Sequence, residues 1–415
     1  MSQVKDSSLS RRTLSLFEAY GIELEYMIVD DASLNVLPIT DKLFFSFANE
    51  YVSEIVNGPI SMDNELAAHV VEFKTTDPAE DLKGVSELFN TEIQRVNEAL
   101  KPMHARLMPT AMHPWMDPLK EMVLWQHGCS EIYDTLHRIF DCRGHGWGNL
   151  QSMHINLPFA NESEFVALHA AIRLVLPLIP SLAASSPVAD GKLTGFKDTR
   201  LDTYKNNQKK IFSVTGHVIP EVVRSVADYQ SIILRRIYKD LEPHDPEGVL
   251  RYEWVNSRGA ITRFERNAIE IRLIDLQETP LMDLAIASVV TQLVKALAEE
   301  RWVSMETLHQ FAPERLKAIL DQGIKLGEEA HIDDLEFLQV FGIEKACSAK
   351  EMWQKLAHSV HVPTEYHKPL SVILHEGTLA TRIKRAMGGN CSRSALKGVY
   401  EHLCESLATG KAFVP

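Results

Sequence analysis

Four short stretches of the chain alternate apolar and polar residues with a period of two, as strands with one buried face do. In "GIELEYMIV" (21–29), Ile22, Leu24 and Tyr26 fall on one side, and Glu23 and Glu25 on the other. In "HVVEFKTT" (69–76), Val71, Phe73 and Thr75 oppose Glu72 and Lys74. In "NLQSMHINLP" (149–158), Met153, Ile155 and Leu157 oppose Ser152, His154 and Asn156. In "NAIEIRLID" (267–275), Ile269, Ile271 and Leu273 oppose Glu270 and Arg272. Helical spacing fills the gaps. Leu82, Val85, Leu88, Ile93, Val96 and Leu100 mark one amphipathic helix; residues 164–186 form a mostly buried one, bent or ended by Pro177 and Pro180; residues 281–300 form a core helix. From about Trp302 the strand signal fades, and four helical stretches are expected. One is "GTLATRIKRAMGG", where Leu379, Ile383 and Met387 form a stripe and Gly388-Gly389 end it. The charged segment 238–250 is expected to be a flexible surface loop.

The polar faces carry an unusual load. A sheet with one wet face is common and explains any single strand. It does not explain glutamates at 23, 25, 72 and 270 meeting a histidine at 154 on one face. Like charges in a sheltered place repel unless a cation lies among them. Oxygen-rich sets of this kind suit Mg²⁺ or Mn²⁺, with phosphate oxygens and water completing the shell. Glu23 and Glu25 are therefore expected to sit side by side because a divalent cation lies between them and a nucleotide.

Bulk properties narrow the function classes. The chain has 415 residues, enough for two or three domains or for one large domain with an appended lobe. With 43 Lys+Arg against 56 Asp+Glu, the formal charge is 43 − 56 = −13, which argues against general nucleic-acid binding. Five cysteines at irregular spacings point to a reduced, cytoplasmic setting. Cys129 and Cys142 lie near His127 and His145, but without zinc-site spacing. Arg11-Arg12 has the first element of a twin-arginine export signal, yet Glu18, Glu23 and Glu25 interrupt the apolar stretch that should follow. A short polar tail is expected there, and no membrane span anywhere.

The residues match a known pattern. "GIELEYMIVD" resembles the Gly-x-Glu-x-Glu opening strand of the glutamate–cysteine ligase and carboxylate–amine ligase family, part of the glutamine synthetase-like superfamily. "VEFKTTDP", "SMHINLPFAN", "LAASSPVADGKLTGFKDTR" and "RFERNAIEIRLIDLQETP" resemble its later blocks in the same order, and "EGTLATRIKRAMGG" its closing helix. The resemblance implies an α+β fold: a curved antiparallel sheet with helices on its outer face, as residues 1–300, and a C-terminal helical lobe, 301–415, packed on it. It implies ATP and Mg²⁺ (or Mn²⁺) in a funnel on the concave face. Glu23, Glu25, Glu72, His154 and Glu270 take the positions of metal ligands. Arg272 takes that of the arginine meeting the transferring phosphoryl group, and Arg200 that of a substrate- or phosphate-contacting arginine. Asn156 lines the site, and Arg263 and Arg266 flank the last strand within reach of nucleotide phosphates.

The implied reaction is ATP-dependent amide formation between a small carboxylic acid and an amine, amino acids being the expected kind and a γ-glutamyl bond one instance. An acyl phosphate would activate the carboxylate. The rivals are a guanidino-kinase-type phosphotransferase, a metal-dependent hydrolase and a silent metal- or nucleotide-binding protein. A homo-oligomer is left open. The Gly/His-rich loop 141–151 departs from the family pattern. Its glycines either let backbone amides approach a phosphate or form a tight turn into the His154 strand.

Overall fold

A computed structural model describes residues 12–415; the segment through Arg11, with the first arginine of the twin pair, lies outside it. Eight strands form one antiparallel sheet: β1 (Gly21–Asp30), β2 (Glu54–Asn57), β3 (Ile60–Asn64), β4 (Val70–Thr75), β5 (Ala105–Met108), β6 (Ser152–Pro158), β7 (Ala260–Arg263) and β8 (Ala268–Asp275). Their order is β2-β3-β4-β1-β6-β8-β7, with β5 also paired to β1. β1 is the spine. Its first half pairs with β4 on one edge and β6 on the other, and β5 continues the second edge along its last residues.

One face is the core, as the alternation predicts. Ile22, Leu24, Val71, Phe73, Ile155, Leu157, Ile269 and Ile271 are all fully buried. Three helices cover them: α1 (Val85–Leu100), α2 (Glu162–Val175) and α3 (Pro280–Ala298). α1 starts at Gly84, whose φ of 75° suits glycine, so Leu82 precedes the helix. Within it the buried position is Phe89, and Leu88, expected in the apolar stripe, is 40% exposed. Phe89 lies four residues from both Val85 and Ile93 and so shares their face, while Leu88 sits about 100° round the helix. After α2 the two prolines act as expected: Leu176–Leu178 tighten to a 3-10 turn and Pro180 opens a short helix to Ala183. Thr279 caps α3 by accepting from the Met282 amide. α3 is long and apolar enough to cross a membrane, but it lies buried in the core.

The region beyond residue 300 holds more helices than four. The main ones are α4 (Pro313–Leu326), α5 (Ala349–Ser359), α6 (Thr364–Glu376), α7 (Leu379–Met387) and α8 (Arg393–Thr409), with a small ribbon pairing His331–Ile332 to Cys347–Ser348. α5 begins at a full capping box between Ser348 and Glu351. These helices share the sheet's core: Trp353 on α5 donates its indole N–H to Ser181 Oγ at 2.9 Å, and Tyr366 on α6 donates to Leu82 O. Leu379, Ile383 and Met387 are buried as the stripe predicts. With Tyr400 and Leu403 of α8 they cover Met27 and Val29. Those two lie on the same face of β1 as Glu23 and Glu25, so the concave face is acidic at one end and roofed by helices at the other. The segment 238–250 is ordered: its first residues continue the helix Arg235–Leu241, and buried Asp245 accepts from the Val249 and Leu250 amides.

Candidate active site

Register brings the acids together. Across β1, Glu25 sits opposite Glu72 and Glu23 opposite His154; across β6, Glu270 sits opposite Asn156. Opposed residues in an antiparallel pair share a face, so pairing alone places all of them on the concave side. Their ligand atoms form two overlapping groups, Glu23–His154–Glu270 and Glu25–Glu72–His154, each within 4.8 Å. His154 belongs to both.

The cluster is held by its own hydrogen bonds. His154 Nδ1 lies 2.7 Å from Glu23 Oε2 and its Nε2 lies 2.8 Å from Ser152 Oγ. Ser152 donates its backbone N–H to Glu25 Oε2 at 2.6 Å and its hydroxyl to the same oxygen at 3.0 Å. Asn156 donates to Glu23 Oε1 at 2.9 Å, leaving its own amide oxygen buried without a partner. Arg272 Nε donates to Glu270 Oε1 at 3.0 Å, and Arg263 to Glu270 Oε2 at 3.3 Å.

Electrostatics split the acids into two kinds. Burial works against the Glu270 charge, but Arg272, His154 and Arg263 outweigh it and bring its pKa to about 2. Burial also opposes the His154 cation, yet the Glu23 hydrogen bond and the nearby carboxylates raise its pKa. On the β4 side no arginine helps. Burial, then Glu23 and Glu65, push the Glu72 carboxyl well above the usual range. Burial and the Glu25 charge push Glu65 up to about 8. Carboxyls crowded until they resist ionisation, beside a hydrogen-bonded imidazole, are a donor set suited to a hard divalent cation.

Glu65 was not foreseen. It lies in the turn between β3 and β4, where no periodicity assigns a face, and its one sequence signal is an acid inside the apolar turn "NELAAH". Asp275 was missed for another reason. Strict alternation from Ile271 sends it to the core, but the β6–β8 register shifts between Ile271 and Ile274, and this bulge sets Asp275 opposite Ser152. There it accepts from Arg200 Nε at 2.6 Å, Ser185 N at 2.8 Å and Ser186 Oγ at 2.8 Å. Arg200, expected to meet substrate or phosphate, is thus only 2% exposed and held by Asp275, with one amino group 3.4 Å from Arg272 O. It supports the strand that carries Arg272. Arg266 is exposed in the turn between β7 and β8, and among the described residues it joins no ion pair. In the loop 141–151, His145–Gly148 form one helical turn. Gly146 packs against Asn207 and Gly148 against Met122, which favours the tight-turn reading over a phosphate cradle.

The sequence pattern of glutamate–cysteine ligase family 2 matches residues 19–406. The chain belongs to that family. It is therefore an ATP-dependent carbon–nitrogen ligase of the glutamate–cysteine ligase-like kind. An uncharacterized protein of Archaeoglobus fulgidus is 36% identical over 322 residues, covering 76% of this chain and 86% of that one. A provisionally named glutamate–cysteine ligase 2 of Bordetella avium is 28% identical over 237 residues, 54% of this chain and 49% of its own length. The crystal structure of Francisella tularensis glutamate–cysteine ligase in complex with AMP superposes with a TM-score of 0.58 at 14% identity, over 94% of this chain and 89% of that one. That likeness is one of fold, and it bears out the α+β architecture with a curved antiparallel sheet.

Proposed function

We propose that the protein joins a small carboxylic acid to an amine, activating the acid with ATP as an acyl phosphate, and that a γ-glutamyl amide, such as the bond between glutamate and cysteine, is one product it is built to form. The observation that carries this reading is the convergence of Glu23, Glu25, Glu72, His154 and Glu270 on one face, with Arg272 fixed beside them. Family membership supports the ligase over a phosphotransferase or a silent binder. The nucleotide in the Francisella enzyme supports ATP as the co-substrate here.

Within this reading each residue has a task. Glu23, Glu270 and His154 would hold one Mg²⁺ or Mn²⁺, and Glu25 and Glu72 would contribute carboxylates to a second. Bound there, the metal supplies positive charge against the phosphate oxygens. Arg272, oriented by Glu270, presents its guanidinium to the phosphoryl group in flight, where a planar fork of donors matches the oxygens. Arg263 braces Glu270 from the other side. Asn156 keeps Glu23 turned into the site. Ser152 holds one oxygen of Glu25, leaving the second free. Five free thiols fit a reduced, cytoplasmic setting.

A coupled ADP-release assay over pairs of amino acids, with mass spectrometry of the products, tests the proposal. ADP release should require both an acid and an amine, require Mg²⁺ or Mn²⁺, and stop on chelation. A stable phosphorylated product in place of an amide, or turnover in metal-free buffer, would overturn it.

A further inference from the structure

We infer that Lys74, with Asp63 and Glu54 around it, is the specificity device for the acid substrate, binding a second anionic group at the end remote from the reacting carboxyl. This rests on the ligase reading above. Lys74 lies on β4 two residues beyond Glu72, on the same face, directly opposite Glu23 on one side and Ser61 on the other. Its ammonium reaches Asp63 and lies 3.2 Å from Glu54 Oε1. The side chain is 22% exposed, so it is sheltered yet open to a ligand in the funnel.

The register explains why a cation stands there. Glu54, Asp63, Glu72 and Glu25 lie opposite one another in succession across β2, β3, β4 and β1, a row of acids running from the sheet's edge to the metal cluster. Lys74 partly neutralises the outer half of that row. One oxygen of Asp63 is nevertheless buried without a hydrogen-bond partner. The subsite thus offers one ammonium flanked by two partly exposed carboxylates, a pattern complementary to a zwitterionic head: carboxylate on Lys74, ammonium on Asp63 and Glu54.

Position argues for the acid rather than the nucleotide. The arginines, Arg263 and Arg272, lie on the β7–β8 side of the cluster, and Lys74 lies on the β4 side. Phosphates drawn to the arginines leave the Lys74 side for the other substrate. Lys74 stands two residues beyond Glu72 on the same face of β4, so the subsite adjoins the metal cluster. An acid with its reacting carboxyl beside Glu72 would place its far carboxylate on Lys74. An amine nucleophile fits poorly there, because Asp63 and Glu54 would hold it protonated and unreactive.

Calorimetric titration of the protein in Mg²⁺ buffer with glutarate and with butyrate tests this without relying on turnover. Wild type should bind glutarate at least about tenfold more tightly than butyrate, Lys74→Met should abolish that preference, and Lys74→Arg should restore much of it. Where turnover is measurable, Lys74→Met should raise the acid's KM about tenfold, leave the KM for ATP within about twofold, and bring kcat/KM for the two acids together. Equal binding of glutarate and butyrate by wild type, or an unchanged preference in folded Lys74→Met, overturns the inference. So does a loss of the same size for both acids. Should Lys74→Met fail to fold, Lys74→Gln carries the same comparison, and a glutarate preference kept in that folded variant overturns the inference. Absence of ADP release with every acid–amine pair would instead count against the ligase reading, and the binding preference would still decide the role of Lys74.

Discussion

Glu270 shows how much chemistry one position can hold. It is 2% exposed, braced by two arginines and gathered with Glu23 and His154 closely enough to hold a metal ion. Glu270→Gln keeps the volume and loses the charge. It should fold with a single cooperative transition and lose at least about 100-fold in turnover, the scale of a lost preorganised electrostatic contact. Arg272→Lys should also cut turnover, because an ammonium cannot offer two parallel donors. Initial rates and melting curves on both variants check this; normal turnover of Glu270→Gln would remove the glutamate from the site. Two buried histidines outside the cluster set a pH limit on stability. Burial lowers the pKa of His69 to about 4 and of His113 to about 3, although each ring contacts a carbonyl, Gly148 O at 2.8 Å and Leu34 O at 2.7 Å. Both are neutral when folded and take up a proton on unfolding below the ordinary histidine pKa of about 6.5. Their contribution is therefore complete above about pH 6.5 and is lost as the pH falls toward 4, by roughly 3 kcal/mol for each ring. Denaturant midpoints between pH 7 and 4 should fall accordingly, and less steeply in His113→Gln.

At the scale of elements, β8 does two jobs on two faces. Ile271 is fully buried, while its neighbours Glu270 and Arg272 pair with each other on the opposite face, at the candidate site. Ile271→Ala should lower stability by about 2–4 kcal/mol through a core cavity, with metal affinity of the folded protein unchanged. Urea unfolding and a Mg²⁺ titration separate the two effects; lost metal binding at full stability would mean the faces are reversed. The bulge beyond Ile271 makes a further claim. By turning Asp275 away from the core it pairs that carboxylate with Arg200, the two side chains 0% and 2% exposed. Asp275→Ala leaves a buried guanidinium without its partner and should cost about 3–5 kcal/mol, well above a surface pair. The check is the same unfolding experiment, and a cost under about 1 kcal/mol would contradict a buried pair.

For the molecule as a whole, the chain's last residues tie the helical region to the catalytic sheet. Arg382 on α7 pairs with Glu278, in the connection from β8 to α3, both fully buried. The same guanidinium donates to Phe413 O, and the Phe413 amide donates to Glu278 Oε1 at 3.1 Å. Arg382→Met leaves Glu278 as an uncompensated buried charge and should destabilise by about 3–5 kcal/mol. Because the core is continuous across residue 300, unfolding should remain one transition. Two separate transitions in calorimetry would show instead that the sheet and the helices beyond residue 300 melt as independent units.

The alternation of side chains by itself determined the two faces of β1, β4, β6 and β8, since period two follows from the strand's geometry alone. It therefore placed Glu23, Glu25, Glu72, His154, Glu270 and Arg272 on polar faces, and the capping and helical spacing around α3 and α7 were equally local. What tertiary structure decided is whatever depends on register and on turns. That Glu25 meets Glu72, and Glu23 meets His154, is a property of strand pairing between segments up to 131 residues apart. Glu65 enters from a turn, where no period assigns a side. Asp275 reaches Arg200 through a bulge that resets the period within its strand. Phe89 rather than Leu88 is buried in α1 because it stands four residues from both Val85 and Ile93, so this position was legible in the helical spacing. Local chemistry settles which face a residue takes within a regular element; only the folded chain settles what stands opposite it.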